Sequence, residues 1–274
     1  MKKRIGIVAE KLSHSLSPII HNYWMKINKI EAEYICFEIK LNEIDQFYKD
    51  FKKDDNLLGF NVTVPYKENF FRISDNLQGR AKNIGSVNLV YKKNKNVYGD
   101  NTDYIGFAKT YKKLVTKNVN KILLIGAGGA ARSILQFLND EKIKQVDIFT
   151  RTLNKKKILS RTMKFDNFYI DSKEIQNKHY DLIINASDAG MLGRKNLASN
   201  IYKLVPNTSF IIDIVYNPIR TKLIETARAN NVPNDGGLGM LLEQAKPSFE
   251  AWFNTKVAIN QYLKNKLTSK LNHE

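Results

Sequence analysis

The residues with the plainest chemical capacity lie at 121–132, KILLIGAGGAAR. Ile122, Leu123, Leu124 and Ile125 form a short apolar run. Gly126, Ala127, Gly128, Gly129, Ala130 and Ala131 follow at once in the order G-x-G-x-x-A. A continuous apolar run of this length reads as a strand buried on both faces. Gly126 then permits a tight turn, Gly128 lets backbone approach a pyrophosphate, and the small Ala131 lets helix and strand pack closely. The N–H groups of the helix that opens there are aimed at phosphate. A glycine pattern carries this meaning between a strand and a helix, and the helix-forming stretch 133–138 completes that context. The chemistry is dinucleotide binding. The next strand, 146–150, ends in Thr150, Arg151 and Thr152, with Lys155 close behind. An acid near such a strand end takes ribose hydroxyls, whereas an arginine accommodates a 2′-phosphate. The acid at about the right distance, Asp147, falls mid-strand and points away. The expectation is therefore NADP, with Arg151 stacking on the adenine and bonding the phosphate.

Five further segments carry polar residues at the ends of elements. They are Ser13-His14-Ser15-Leu16-Ser17-Pro18, NVTVPYK at 61–67, Val87-Asn88, GDNTD at 99–103 and GMLLEQA at 239–245. Taken singly, each has a plain reading. Ser17 before Pro18 is a helix N-cap with proline at the first helical position. Thr63 is an ordinary strand residue, Lys67 a surface lysine, Asn88 a turn former, Asp103 a helix cap and Gln244 a solvated helix residue. Cys36, in the apolar run 34–39, reads as a buried structural thiol. The four histidines, His14, His21, His179 and His273, are dispersed and make no metal-ligand pattern.

Taken as a set, in this order and with the glycine loop, the segments resemble shikimate dehydrogenases from about Ser13 to Trp252. NASDAGM at 185–191 and DIVYNP at 213–218 resemble two more loops of that family. The resemblance implies an α/β substrate domain and a Rossmann domain facing each other across a cleft. It implies reversible hydride transfer between NADPH and 3-dehydroshikimate, giving shikimate. It makes Ser15 and Ser17 the grip on the substrate carboxylate. Thr63, Asn88, Asp103 and Gln244 match positions that bind the ring hydroxyls, Lys67 matches the catalytic lysine, with Asp103 its acid–base partner, and Tyr216 lines the cleft. Cofactor contacts beyond the glycine loop and Thr150, Arg151, Thr152 and Lys155 fall on Ala186, Met191, Ile214, Gly237 and Met240. A polyhydroxy acid needs many directed hydrogen-bond partners, and one lysine can serve as acid or base for the two directions, so no metal is required. The nearest alternative is an NAD-dependent quinate/shikimate dehydrogenase, followed by another two-domain dehydrogenase and by a non-catalytic NADP- or nucleic-acid-binding protein. Departures from the family pattern fall at Ala9-Glu10-Lys11-Leu12, Leu89, Thr150 and Asp188.

These residues need a scaffold, and its pattern is legible. Strands are expected at 4–9, 34–39, 59–64, 87–91 and 97–100, the last two as a hairpin. Helices are expected at 17–28 and 41–53, with another opening at Thr102 or Asp103. From Lys121 the pattern alternates strictly, with strands at 122–125, 146–150, 182–185 and 211–214, which is a parallel doubly wound sheet. Helices at about 239–253 and 256–267 close the chain. The fold class is α/β, with a substrate domain at 1–102, a Rossmann-type NADP domain at 103–237, and the 238–274 helices returning to the first.

The 274 residues provide ample core, and the formal charge is +17. The lysines are scattered in small groups, which reads as a solvated surface without nucleic-acid binding. No apolar run reaches the roughly 18 residues of a membrane span, and the basic N-terminus lacks a signal-peptide core. A single cysteine fits a reducing cytoplasm. The expected partner is a small-molecule substrate, with no membrane association, in a monomer or homodimer.

Overall fold

The computed structural model describes residues 2–13, 15–160 and 163–273. His14, part of the first polar segment, lies outside the described residues. The chain divides into two compact units. One comprises Met1–Thr102 with Leu242–Ser269, and the other Asp103–Leu241 with Lys270–Glu274.

The first unit runs β1 (Lys3–Ala9), α1 (Ser17–Ile27), β2 (Ala32–Glu38), α2 (Ile44–Lys53), β3 (Leu57–Val62), α3 (Lys67–Ile73), β4 (Asn76–Leu77), α4 (Ala81–Ile84), β5 (Leu89–Lys93) and β6 (Asn96–Asp100). Its sheet has the order β2-β1-β3-β5-β6-β4. β1 is parallel to β2 and β3, whereas β5 is antiparallel to both β3 and β6. The β5–β6 hairpin turns at Asn94 and Lys95, both at positive φ, the backbone hand that suits a two-residue hairpin loop. Phe51, Phe60 and Phe70 pack edge to face beneath Val8 and Val62, so the carboxyl ends of β1 and β3 sit on a rigid aromatic core.

Three expectations for residues 1–102 are corrected. The first helix begins at Ser17 and its N-cap is Leu16, with no side-chain cap, so Ser17 is helical and Pro18 sits one place further in. The backbone N–H of Ser17 instead donates to Ser15 Oγ at 3.4 Å. β3 ends at Val62, because Thr63 opens a turn closed by Tyr66 N–H to Thr63 O. Cys36 is exposed, not buried. β2 is the outermost strand of the sheet, and only its Ala32 and Tyr34 are buried. Partial desolvation and then the nearby Glu38 carboxylate push the Cys36 thiol up, away from nucleophilic reactivity.

The second unit runs α5 (Asp103–Leu114), β7 (Lys121–Ile125), α6 (Gly129–Asp140), β8 (Gln145–Phe149), α7 (Lys155–Leu159), β9 (Asn167–Tyr169), β10 (Leu182–Asn185), α8 (Ser199–Leu204), β11 (Phe210–Asp213), α9 (Lys222–Ala229) and β12 (Asn234–Asp235). The order is β12-β11-β10-β7-β8-β9, and every pairing is parallel. The chain winds outward from β7 in one direction and then, from β10, in the other. The reversal falls between β7 and β10, and a ligand crevice in such a sheet opens at the carboxyl ends of that pair.

α10 (Gly237–Phe253) starts in the second unit and belongs to the first from Leu242 onward. In the first unit its Trp252 indole donates to Val90 O at 3.1 Å. α11 spans Gln261–Asn272, and 255–260 is irregular, contrary to the helix expected from 256. Asn260 causes the delay, because its side-chain oxygen accepts the Leu263 N–H at 2.9 Å and caps the helix there.

Candidate functional site

Asn88, Thr102 and Gln244 of the first unit converge on one buried junction. Asn88 is buried between β3 and β6: its backbone N–H donates to Asp100 O and its carbonyl accepts from Val62 N–H. Its side-chain Oδ1 accepts the Thr102 N–H at 2.7 Å, and its Nδ2 donates to Thr102 Oγ1 at 3.0 Å and to Gln244 Oε1 at 3.3 Å. The Thr102 hydroxyl also lies 3.3 Å from Gln244 Oε1. Three segments remote in sequence, Val87-Asn88, GDNTD and the GML..QA helix, are thereby joined. Asn101 does parallel work, with its amide donating to Ser86 O and Oγ at 2.9 and 3.0 Å.

A second layer supports the junction, and of its members only Asn61, in NVTVPYK, lies in a polar segment singled out in the sequence. Asn61 Nδ2 donates to Ser248 Oγ at 2.9 Å and to Asn88 O at 3.2 Å, and Asn61 Oδ1 accepts from the Tyr34 hydroxyl at 2.9 Å. Ser248 lies 3.5 Å from the Thr102 hydroxyl. The available signal was the helical spacing of Gln244 and Ser248, four apart on one face, and an asparagine inside a buried strand. Behind Tyr34 lies His21, its ring stacked at 4.6 Å and enclosed by Trp24, Phe249 and Trp252. Neither ring nitrogen of His21 has a hydrogen-bond partner, and burial lowers its pKa to about 3. It is a neutral core residue.

The remaining substrate-site candidates occupy loop and helix starts. Thr63 follows β3 and donates its backbone N–H to Val8 O. Lys67 is the first residue of α3, half-buried, and its carbonyl accepts Val87 N–H. Ser15 is half-buried and Ser17 buried at the start of α1. Asp103 opens α5 as the first residue of the second unit and is buried.

In the second unit the glycine loop has the geometry that a pyrophosphate requires. Gly126 has φ +111°, and a Cβ there would lie 2.7 Å from Ala186 O, so only glycine fits. A Cβ on Gly128 would meet nothing within 4 Å, which leaves open space beside the backbone. α6 starts at Gly129 with no side-chain cap, and Ala131 is buried against the strand. The loops after β7 and β10 touch through Ala186, whose N–H donates to Ile125 O at 2.8 Å. Asp147 is fully buried mid-strand, as expected, and accepts from Asn167 at 2.8 Å and Tyr180 at 2.9 Å. It is committed inside the sheet. Thr150 is buried at the end of β8, while Arg151 and Thr152 are exposed and Lys155 opens α7.

The loops after β10 and β11 are fixed by a buried carboxylate that sequence reasoning overlooked. Asp213 accepts from Asn185 Nδ2 at 2.9 Å, Val215 N–H at 3.1 Å and Thr221 Oγ1 at 2.6 Å. Burial pushes its pKa up to about 6 against the opposing effect of those three donors. Asn185 in turn donates to Ala189 O, and its Oδ1 accepts from the Ser187 hydroxyl at 2.7 Å. Ile214, Tyr216, Gly237 and Met240 stand on this frame. A Cβ on Gly237 would lie 2.0 Å from Ile214 O, so the start of α10 lies tight against the loop after β11. The exposed Met191 lies further along the loop after β10.

Residues 7–90 match the shikimate dehydrogenase substrate-binding domain family, and residues 108–232 match the shikimate/quinate 5-dehydrogenase family. A shikimate dehydrogenase (NADP⁺) of Clostridium perfringens is 36% identical over 257 residues, covering 93% of this chain and 94% of that one. The crystal structure of shikimate dehydrogenase 1 from Peptoclostridium difficile superposes with a TM-score of 0.85 at 32% identity, covering 98% of this chain and 99% of the other. That of shikimate 5-dehydrogenase from Listeria monocytogenes, solved with shikimate and NAD, gives 0.82 at 27% identity, covering 97% and 96%. By these matches, which span both units, the chain belongs to the shikimate dehydrogenase family of NADP-dependent oxidoreductases.

Proposed function

We propose that this chain catalyses the reversible reduction of 3-dehydroshikimate to shikimate with NADPH. The observation that carries the reading is the junction of Asn88, Thr102 and Gln244, bonded at 2.7–3.3 Å. It offers a cluster of directed amide and hydroxyl groups at the end of an interior strand, the chemistry needed to recognise several hydroxyls on one ring. Bound NADPH supplies the hydride. Lys67 donates a proton to the carbonyl oxygen of the substrate in reduction and takes the hydroxyl proton back in oxidation. Asp103 is its acid–base partner and shares the hydroxyl contact. Thr63 joins Asn88 and Gln244 in holding the ring, Ser15 and Ser17 hold the carboxylate beside the N-terminus of α1, and Tyr216 lines the site. The glycine loop takes the pyrophosphate, Arg151, Thr150, Thr152 and Lys155 take the adenosine 2′-phosphate end, and Ala186, Met191, Ile214, Gly237 and Met240 make the remaining cofactor contacts. Residues 1–102 with the C-terminal helices form the substrate domain, and 103–237 the nucleotide domain.

The reading is of a cytoplasmic enzyme, monomer or homodimer, whose basic surface is solvated and carries no nucleic acid. Its test is a spectrophotometric assay of nicotinamide oxidation state with shikimate or quinate against NADP or NAD. Turnover of shikimate with NADP well above every other pairing is the expected result. Preference for quinate with NAD would replace this reading with the quinate/shikimate alternative, and no turnover with any pairing would overturn it.

A further inference from the structure

Asp188 is the acid that departs from the family pattern in the NASDAGM loop, and the structure shows what it touches. Its Oδ1 lies 3.5 Å from Arg151 Nη2, and its Oδ2 lies 3.6 Å from Arg194 Nε. The carboxylate therefore sits between two guanidiniums, one on the loop after β8 and one on the loop after β10. These strands flank β7, whose glycine loop lies between them.

Arg194 is held where it is by backbone. Its N–H donates to Met191 O at 2.9 Å, Met191 N–H to Asp188 O at 3.2 Å, and Gly190 N–H to Lys195 O at 2.9 Å. Leu192 N–H ties the turn to Asn217 O at 2.9 Å. Gly190 and Gly193 supply the positive φ values, +87° and +75°, that so compact a loop requires. All three charged side chains stay well hydrated, at 70% exposure for Arg151, 46% for Asp188 and 64% for Arg194. An ion pair this exposed is weak, so Asp188 is easily displaced. A phosphate dianion presents more charge and more acceptor oxygens to the same two forks.

We infer that Arg151 and Arg194 together form a two-guanidinium site for the 2′-phosphate of the nucleotide, and that Asp188 is the built-in anion this phosphate displaces. Arg194 is then a second specificity-determining cation, and Asp188 a competitor that tempers the preference for the phosphorylated nucleotide. The inference rests on the NADP reading above and adds residues to it.

The experiment is calorimetric titration of the full chain with 2′,5′-ADP and with 5′-AMP, which removes catalysis from the readout. Wild type binds 2′,5′-ADP more tightly. Arg194→Gln weakens 2′,5′-ADP by about three- to tenfold, as for an exposed charge-assisted bond. Asp188→Asn tightens it by about two- to fivefold, because a like charge has left the site. Neither change moves 5′-AMP. Arg151→Ala weakens 2′,5′-ADP and serves as the reference. Equal binding of both probes by wild type would overturn the NADP reading and this inference with it. A wild-type preference that depends on Arg151 but is unmoved by Arg194→Gln and Asp188→Asn would overturn this inference alone. Weaker 2′,5′-ADP binding in Asp188→Asn would likewise overturn the competitor role, since it would make Asp188 a required support for Arg151.

Discussion

At the scale of single residues, the proposed chemistry concentrates on Lys67 and on two serines. Lys67 stands at the first position of α3, immediately past the turn 63–66. Its carbonyl is tied to Val87 N–H, next to Asn88, so the lysine's backbone is fixed to the segment that leads into β5 and the polar junction. A positioned acid–base group contributes about 10²–10⁴-fold, so Lys67→Ala lowers kcat by that order. The KM for shikimate changes less, because Asn88, Thr63 and Gln244 still hold the ring. Near-normal turnover in a folded Lys67→Met protein that still binds NADPH would remove the lysine from the mechanism. Asp103→Asn also lowers kcat, and the double substitution falls short of the sum in free energy if the pair acts as a unit. Ser15 and Ser17 make a different claim. The start of α1 has no side-chain cap, so its positive end favours an anion. Ser15→Ala raises the KM for shikimate more than that for NADP, and shikimate methyl ester is a poor substrate for the wild type. An ester turned over as well as the acid would show that the carboxylate is held elsewhere.

At the scale of elements, the legible and illegible parts separate by range. Four of the six parallel strands of the second unit, β7, β8, β10 and β11, were readable because buried strands are short runs of Val, Ile and Leu, whereas the short β9 was not. Each run was placed within a residue or two of where it lies, as in 182–185 against Leu182–Asn185. The glycine loop was readable for the same reason, since turn, close approach and helix start are all local. What escaped depended on partners remote in the chain. Cys36 looks buried in its own hexapeptide, and only the position of β2 at the sheet edge exposes it. Ser17 is a local exception: it looks like a cap, but α1 starts at Ser17 itself, with Leu16 as its N-cap and Ser15 Oγ accepting the Ser17 N–H. Asn61 and Ser248 are 187 residues apart, and local pattern marks each as a polar residue on a buried face without pairing them. That bond yields a prediction at this scale. Ser248 fixes α10 against β3 through Asn61 and lies next to Thr102, so it positions Gln244 and Asn88 without touching substrate. A buried hydrogen bond is worth about 0.5–1.5 kcal/mol net. Ser248→Ala therefore raises the KM for shikimate by roughly three- to tenfold and leaves the KM for NADP unchanged. A purely structural role would instead lower thermal stability with both KM values intact, and a steady-state comparison of the two substrates separates these outcomes.

At the scale of the whole molecule, two buried titratable groups, one in each unit, set opposite pH dependences of stability. His21 in the first unit is lowered to about 3 by burial, from an ordinary value of 6.5. Between those values the unfolded chain binds a proton that the folded chain refuses, so stability falls as pH drops through the ordinary value. By about pH 5 the loss amounts to roughly 2 kcal/mol. Asp213 in the second unit is raised to about 6 by burial, from 3.8. Here the folded chain holds the proton that the unfolded chain has released, so the cost of the buried carboxylate is present near neutrality and fades as pH falls through about 6. The relief between about pH 7 and about pH 5 is roughly 1 kcal/mol. The two effects oppose each other, and the wild type shows a shallow decline over this interval. His21→Phe removes the larger effect, leaving a protein whose stability rises as pH is lowered. Asp213→Asn removes the other and gives a steeper decline than the wild type. Its overall stability is also lower, since an amide cannot accept from Asn185, Val215 and Thr221 at once. Urea unfolding of the three proteins across this range reads the slopes independently of each variant's offset. Slopes for both variants parallel to the wild type would show that neither group titrates differently on folding, and with that the electrostatic account of both cores would fail.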